Sequence, residues 1–168
     1  MILGMPTNVF TQVHVLISLI GIVSGTVALF AMLRGHYARY WVGCFLVTTI
    51  ATSVTGFMFP SKVGPADVIG VLSLLVLAMT LTALYGLKLR GRWRSVYVIS
   101  AAIALYLNVF VAVVQTFQKV AYFHSLAPTQ AAPPFAIAQG IVLLAFVALG
   151  IVAVKRFHPS RDAGGANV

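Results

Sequence analysis

Five apolar stretches, each about as long as a bilayer is thick, divide this chain into spans and short connecting segments. They cover residues 10–33, 40–59, 68–87, 95–117 and 135–154, and none of them contains Asp, Glu, Lys or Arg. A helix of about 20 apolar residues crosses the ~30 Å hydrocarbon core of a membrane. Each stretch therefore predicts a transmembrane α-helix.

The composition leaves no room for a separate water-soluble domain. Of the 168 residues, 61% are hydrophobic and 8% are charged, whereas soluble domains are about one quarter charged. We predict an all-α, polytopic helical bundle: a single five-helix transmembrane domain over residues 1–157 and a disordered cytoplasmic tail over residues 158–168. Residues 1–33 lack the basic start of a signal peptide, so we expect the first stretch to be retained. The single cysteine, Cys44, excludes an intrachain disulfide.

The basic residues are concentrated in one alternating set of connecting segments. Nine of the 11 fall in this set, namely Arg34, Arg39, Lys88, Arg90, Arg92, Arg94, Lys155, Arg156 and Arg161. Only Lys62 and Lys119 fall in the other set. Because Lys and Arg accumulate in cytoplasmic loops, the pattern predicts an N-terminus outside and a C-terminus in the cytoplasm. The net charge of +9 has the same explanation, so nucleic acid is not an expected partner.

Small residues recur at helical spacing in the first apolar stretch. Ser18, Gly21 and Gly25 continue a line that begins at His14. Lipid provides no hydrophobic drive for helices to associate, so such stripes mark the faces on which helices pack. We therefore predict that this stripe contacts another helix.

The larger polar side chains gather on the side opposite to the basic segments. On the predicted topology this is the outer side, where we predict a ligand-binding cluster of His14, Asn108, Gln115, Gln118, Lys119 and Gln139. The segment 121–134 is the longest connection, and its prolines stiffen it. It is predicted to cover the cluster as a lid, with Tyr122, His124, Pro128, Thr129, Gln130, Pro133 and Pro134. Alternatively, these groups only bond one another and anchor the helix ends, with Lys119 reaching outward.

No pattern of residues points to catalysis or to a metal. The chain lacks nucleophile, P-loop and zinc-ligand motifs, and it lacks paired carboxylates within the apolar stretches. A bis-histidine haem needs two imidazoles at similar depth. His14 is the only histidine inside an apolar stretch, and His124 is the only histidine that could act as the second haem ligand beside it. Asp67 is expected to pair with Lys62 or Lys119, or to cap the third helix.

The second half of the chain is similar to a known group of proteins. The runs NVFVAVVQTFQK (residues 108–119), LAPTQ (126–130) and PPFAIAQ (133–139) resemble small inner-membrane proteins of proteobacteria. The resemblance implies a bacterial inner membrane but no particular activity, and it marks as the signature Asn108, Gln115, Lys119, Pro128, Thr129, Gln130, Pro133, Pro134 and Gln139. Members of the group often carry an acidic residue directly before Pro-Pro, where this chain has Ala132. If that carboxylate normally pairs with Lys119, the local chemistry is altered here.

Three functions remain open at this point. The first is an inner-membrane protein that binds a small or lipidic ligand from the outer leaflet, or that serves as an accessory subunit, without catalysis of its own. The second is a redox component that holds quinone or haem near His14 and Gln115. The third is a passive carrier or pore. The expected partners are the lipid bilayer and either further copies of this chain or another membrane subunit.

Overall fold

The structure, a computed structural model, describes residue 2, residues 4–59 and residues 64–158. The described part is helical, as predicted for an all-α chain, apart from an isolated bridge between Ile2 and Met5. The helices are α1 (Thr7–Leu33), α2 (Arg39–Gly56), α3 (Pro65–Leu81), α4 (Trp93–Lys119), α5 (Ala121–Leu126) and α6 (Pro133–Arg156), and a π-helical turn (Thr82–Gly86) extends α3. The expectations for Lys62 and for the tail from residue 159 onward lie outside the described residues.

Four helices of the described part are long and apolar enough to cross a membrane. They are α1, the segment Asp67–Gly86, α4 and α6, which supports the prediction of a multi-pass helical membrane protein. The fifth long helix, α2, has 18 residues including the charged Arg39, and it is not among these four. The count of five spans therefore stays a prediction. If the π-helical turn is counted with α3, all five long helices begin and end within three residues of the predicted stretches.

Local signals in the sequence explain where two of the helices begin. The Asp67 carboxylate accepts a hydrogen bond of 2.8 Å from the Gly64 backbone N–H, which satisfies a donor at the start of α3. Asp67 therefore caps the third helix, one of the roles expected for it. Pro133 and Pro134 occupy the first turn of α6, where a missing N–H costs nothing.

The long helices alternate in direction and surround α4. His14 on α1 bonds Thr55 on α2, and Gly25 further along α1 faces Phe45 earlier in α2, so the two helices are antiparallel. Helix α4 contacts α1, α3, α5 and α6, and it is the most buried of the four apolar spans. Helix α6 is the least buried span and lies at the edge of the bundle.

The two ends of the bundle differ in charge. The basic end holds the α1–α2 turn (34–38), the α3–α4 turn (87–92), the first turns of α2 and α4 and the end of α6, and eight of the Lys and Arg residues lie there. The loop end holds the start of α1, the end of α2 and residues 120–132. The alternation of charge seen along the sequence is therefore a difference between the two ends of one bundle.

Glycines allow α1 to approach α2 closely. A methyl group at Gly25 would lie 2.6 Å from Cδ2 of Phe45 and 2.7 Å from Cδ1 of Leu105. At Gly21 it would lie 3.2 Å from the Thr48 hydroxyl oxygen. The predicted stripe of Ser18, Gly21 and Gly25 lies on the face of α1 that contacts α2, because the Ser18 hydroxyl is 3.3 Å from that of Thr52.

Phe157, the residue after α6, closes the basic end. Its ring is fully buried, and its centroid lies 5.8 Å from that of the Tyr97 ring. The guanidinium of Arg94 donates to the Phe157 backbone carbonyl. Gly35 in the α1–α2 turn has a φ of +78° and lies next to the backbone carbonyl of Arg156. The end of α6 is therefore fixed to the first residues of α4 and to the α1–α2 turn.

Tyrosines lie beside the cations of this end. Burial raises the pKa of Tyr37 to about 12; the neighbouring Tyr85 adds to the rise and Arg39 opposes it. The Tyr37 phenol therefore stays neutral at ordinary pH and adds no negative charge to the basic end.

Candidate functional site

The polar residues predicted to form one pocket lie in separate places. His14 bonds across the α1–α2 interface, Asn108 lies deeper between α2 and α4, and Gln139 bonds α6 to α4. Gln118 lies apart from these three, at the loop end, where a cavity is present.

His14 is held by the end of α2. Its Nδ1 atom lies 2.8 Å from the Thr55 hydroxyl, and the edge of its ring contacts the Phe59 ring at a centroid distance of 5.2 Å. Lys119, at the end of α4, is close enough to act on His14 electrostatically. Among the described residues, no group bonds the Nε2 atom of His14, which can therefore make a further hydrogen bond.

Asn108 joins α4 to α2 within the bundle. Its amide donates to the hydroxyl oxygen of Thr49 over 3.0 Å, and Thr49 is fully buried. Gly21 of α1 lies beside this pair, since a methyl group there would be 3.4 Å from the Thr49 hydroxyl and 3.6 Å from the Asn108 nitrogen. Three helices therefore meet at a polar contact, which satisfies an amide that lipid could not.

We expect the Asn108–Thr49 pair to contribute measurably to stability. Hydrogen bonds between membrane helices average about 0.6 kcal/mol in double-mutant cycles and reach about 1.7. A cycle of Asn108→Leu, Thr49→Val and the double variant, followed by unfolding in mixed micelles, should give a coupling energy within that range. Ser100→Ala, which removes a separate contact with Thr80 between α3 and α4, should add independently to Asn108→Leu. A coupling of zero between Asn108 and Thr49 contradicts the prediction.

Gln139 has one satisfied and one unsatisfied amide atom. Its nitrogen donates to the backbone carbonyl of Phe110 over 3.1 Å. Its oxygen is buried and has no hydrogen-bond partner among the described residues. A buried acceptor without a partner costs about 1–3 kcal/mol, so this carbonyl can accept a hydrogen bond from a molecule that the protein chain does not supply.

A cavity lies at the loop end, between the last turn of α4, α5, the following loop and the first turn of α6. Its volume is about 130 Å³, and it is lined by Phe117, Gln118, His124, Ala127, Pro128, Thr129, Gln130 and Phe135. The lining combines amide, imidazole and hydroxyl groups with two phenyl rings, 5.6 Å apart at their centroids. Phe135 lies one helical turn before Gln139 on α6.

Gln118 and four of the predicted lid residues line this cavity, and the other predicted residues do not. Those four are His124, Pro128, Thr129 and Gln130. Gln115 and Lys119 are exposed on α4, Tyr122 is exposed on α5, and Pro133 and Pro134 belong to the first turn of α6. The part of the segment 121–134 nearest α4 is the helix α5 rather than an extended lid.

Three lining residues were missing from the predicted site. Phe117 and Phe135 carry the usual signal of aromatic residues near a membrane interface, which does not distinguish a cavity wall from an anchor. Ala127 gives no signal in the sequence, and it is buried only because the chain after α5 folds back.

The described residues do not group three or more histidine, cysteine or acidic side chains as a metal site would. Of the four histidines, His14 alone lies in an apolar span, because His36 is in the α1–α2 turn, His124 in α5 and His158 beyond α6. A haem between two helical imidazoles at equal depth does not fit this placement.

The fold and its surface define the class of protein. The long helices are apolar and alternate in direction, and their outward faces carry large hydrophobic side chains. These are features of a multi-pass helical membrane protein. No family model, no curated protein and no solved structure matches the chain.

Proposed function

We propose that this chain is a five-span protein of the bacterial inner membrane that binds a small or lipidic ligand at its loop end without catalysing a reaction. The cavity between α4, α5 and α6 is the observation that carries the proposal. It combines polar groups from a loop and two helices in one place, whereas His14, Asn108 and Gln139 each bond a neighbouring helix.

The size and lining of the cavity support a ligand with a compact polar part. Its volume of about 130 Å³ is far above what a single water needs and below the ~300–1,000 Å³ of sites that enclose a whole drug-sized ligand. A lipidic molecule meets this condition if its polar group occupies the cavity and its apolar part lies along the bundle. The lining offers neutral donors and acceptors, which suit an uncharged hydroxyl, amide or carbonyl group.

The five-span topology and its orientation are part of the proposal. Helix α2 alternates in direction with α1 and pairs with it along most of its length, which favours its crossing the membrane too. The positive-inside rule then places the basic end in the cytoplasm and the cavity outside. Reporter fusions at residues 36 and 130 should report opposite sides, and a cytoplasmic signal at residue 130 would refute this orientation.

Filling the cavity should remove the ligand. We expect Ala127→Leu to reduce the amount of co-purifying molecule at least tenfold, because the added side chain occupies the space that Ala127 now borders. The measurement is solvent extraction of the purified protein followed by mass spectrometry. Ala131→Leu is the matched control, since Ala131 is exposed in the same loop and does not line the cavity. If both variants retain the same amount of the co-purifying molecule, this cavity is excluded as its binding site.

A quinone near His14 is the second candidate. The Thr55 hydroxyl donates to the Ala51 backbone carbonyl, so Nδ1 of His14 donates to Thr55. Nε2 of the neutral imidazole is then an acceptor, which suits the hydroxyl of a reduced quinone, and the position is half-buried at the bundle surface. The same extraction decides between the two sites. A quinone that is lost in His14→Phe and kept in Ala127→Leu supports this candidate over the cavity.

A further inference from the structure

The connection between α3 and α4 at the basic end has an unusual backbone. Helix α3 widens into a π-helical turn, in which the Leu87 N–H bonds the Thr82 carbonyl at 2.9 Å. Lys88 and Leu89 then adopt left-handed conformations, with φ of 48° and 55°. Such conformations cost free energy in residues other than glycine, on the order of 1 kcal/mol each. The surrounding structure therefore holds this turn in a particular shape.

The shape of the turn creates a cavity. Its volume is about 430 Å³, and it is lined by Gly86, Leu87, Lys88, Arg90 and Trp93. Leu89, between the two cations, packs against the hydrophobic core, while Lys88 and Arg90 are exposed. Two flexible positive side chains and one indole ring therefore surround an open space.

No acidic side chain of the described residues balances the charge of this space. Asp67 is the only acidic residue in the described part of the chain, and it caps α3 at the opposite end of the bundle. Arg92 and Arg94 follow immediately in the sequence, so four cations lie within seven residues. An anion that enters the cavity meets attraction from all of them.

The position of the cavity identifies the source of the anion. The turn joins two of the helices that are long and apolar enough to cross a membrane, so it lies at the membrane surface. Tyr85 and Trp93 are exposed next to it, as is typical of aromatic residues at the level of the headgroups. At this level of the bundle, lipid headgroups are the most concentrated source of phosphate.

We propose that this cavity is a specific site for the headgroup of an anionic phospholipid, with Lys88 and Arg90 pairing the phosphate and Trp93 packing against the glycerol. Basic pockets between membrane helices bind such headgroups. The site is independent of the ligand proposed for the loop end, because it lies at the other end of the bundle.

The test compares two variants that lose the same charge. Lys88→Gln with Arg90→Gln removes the two cations that line the cavity, and Arg34→Gln with Lys155→Gln removes two exposed cations of the same end that do not line it. The dissociation constant of phosphatidylglycerol for the full chain in neutral detergent is measured by native mass spectrometry. Lys88 and Arg90 are the cations proposed to contact the phosphate, so the first pair of changes should weaken binding about 30-fold. Arg34 and Lys155 do not line the cavity, so the second pair should change binding less than threefold.

Three outcomes would overturn the proposal. An equal loss in both pairs would mean that binding depends on total charge rather than on the cavity. Equal binding of phosphatidylcholine by the unchanged protein would mean that the headgroup is not recognised. Displacement of phosphatidylglycerol by millimolar inorganic phosphate would mean that the site takes the free anion rather than the lipid.

Discussion

Phe157→Ala is expected to lower the free energy of unfolding by about 3 kcal/mol, the lower end of the range for Phe→Ala in a protein interior. The Phe157 ring is fully buried and packs against the tilted Tyr97 ring, so its removal leaves a cavity next to the Arg94 contact. The end of α6 then keeps the bond from Arg94 to the backbone carbonyl but loses its ring contact with α4. Equilibrium unfolding in mixed micelles, followed by circular dichroism, measures the loss.

The control for this prediction is a large apolar residue of the same helix that faces outward. Leu144 is 70% exposed in the bundle, so Leu144→Ala exchanges one lipid or detergent contact for another. We expect it to change the free energy of unfolding by less than about 0.5 kcal/mol, as for other surface positions. Similar losses for Phe157→Ala and Leu144→Ala would mean that Phe157 does not fix the end of α6.

Gly25→Val is expected to cost about 2–3 kcal/mol of stability, the upper part of the range for overpacked interiors. The first carbon of the new side chain would lie 2.6 Å from Phe45 and 2.7 Å from Leu105, both of which are buried. Either α1 moves away from α2 and α4 or both neighbours change rotamer. Thermal unfolding in detergent, monitored by size-exclusion chromatography, measures the effect.

A matched substitution on α2 controls for helix propensity. Gly43 has no atom within 4 Å of the position that a methyl group would take, so Gly43→Val should leave the midpoint of unfolding within a few degrees. If Gly25→Val does not fold, a double-mutant cycle of Gly25→Ala and Phe45→Ala tests the same point, because Phe45→Ala removes the shortest contact that the new methyl group would make. A loss of stability in the double variant equal to the sum of the two single losses would contradict the steric explanation.

Helix positions could be predicted from the sequence, but helix partners could not. The ends of α6 follow from Pro133, Pro134 and the first basic residues after the apolar stretch. The partners of His14 and Asn108 do not follow from any local signal, because Thr49, Thr52 and Thr55 all lie on α2 at helical spacing. Which threonine meets which residue depends on the rotation and depth of α1 and α4 relative to α2, and the apolar pattern contains neither quantity.

In the candidate site, too, some features could be predicted from the sequence and others could not. Gln118 and Thr129 could be singled out as polar residues near one end, whereas the cavity between them requires the fold-back at Ala127 and the approach of Phe135. Phe157 follows Lys155 and Arg156, where the hydropathy pattern ends, so the sequence gives no sign that it is buried. Only the return of α6 to the first turn of α4 places it against Tyr97.

The sequence by itself determined that this chain consists of apolar helices whose basic residues fall on alternate sides. The physical reason is that hydropathy and charge act on each segment separately, through the cost of placing backbone and charged groups in lipid. The tertiary structure decided which polar groups bond to one another, where the two cavities lie and which residue closes the basic end. Those features depend on contacts between segments, and in a membrane protein the faces toward lipid and toward other helices are similarly apolar.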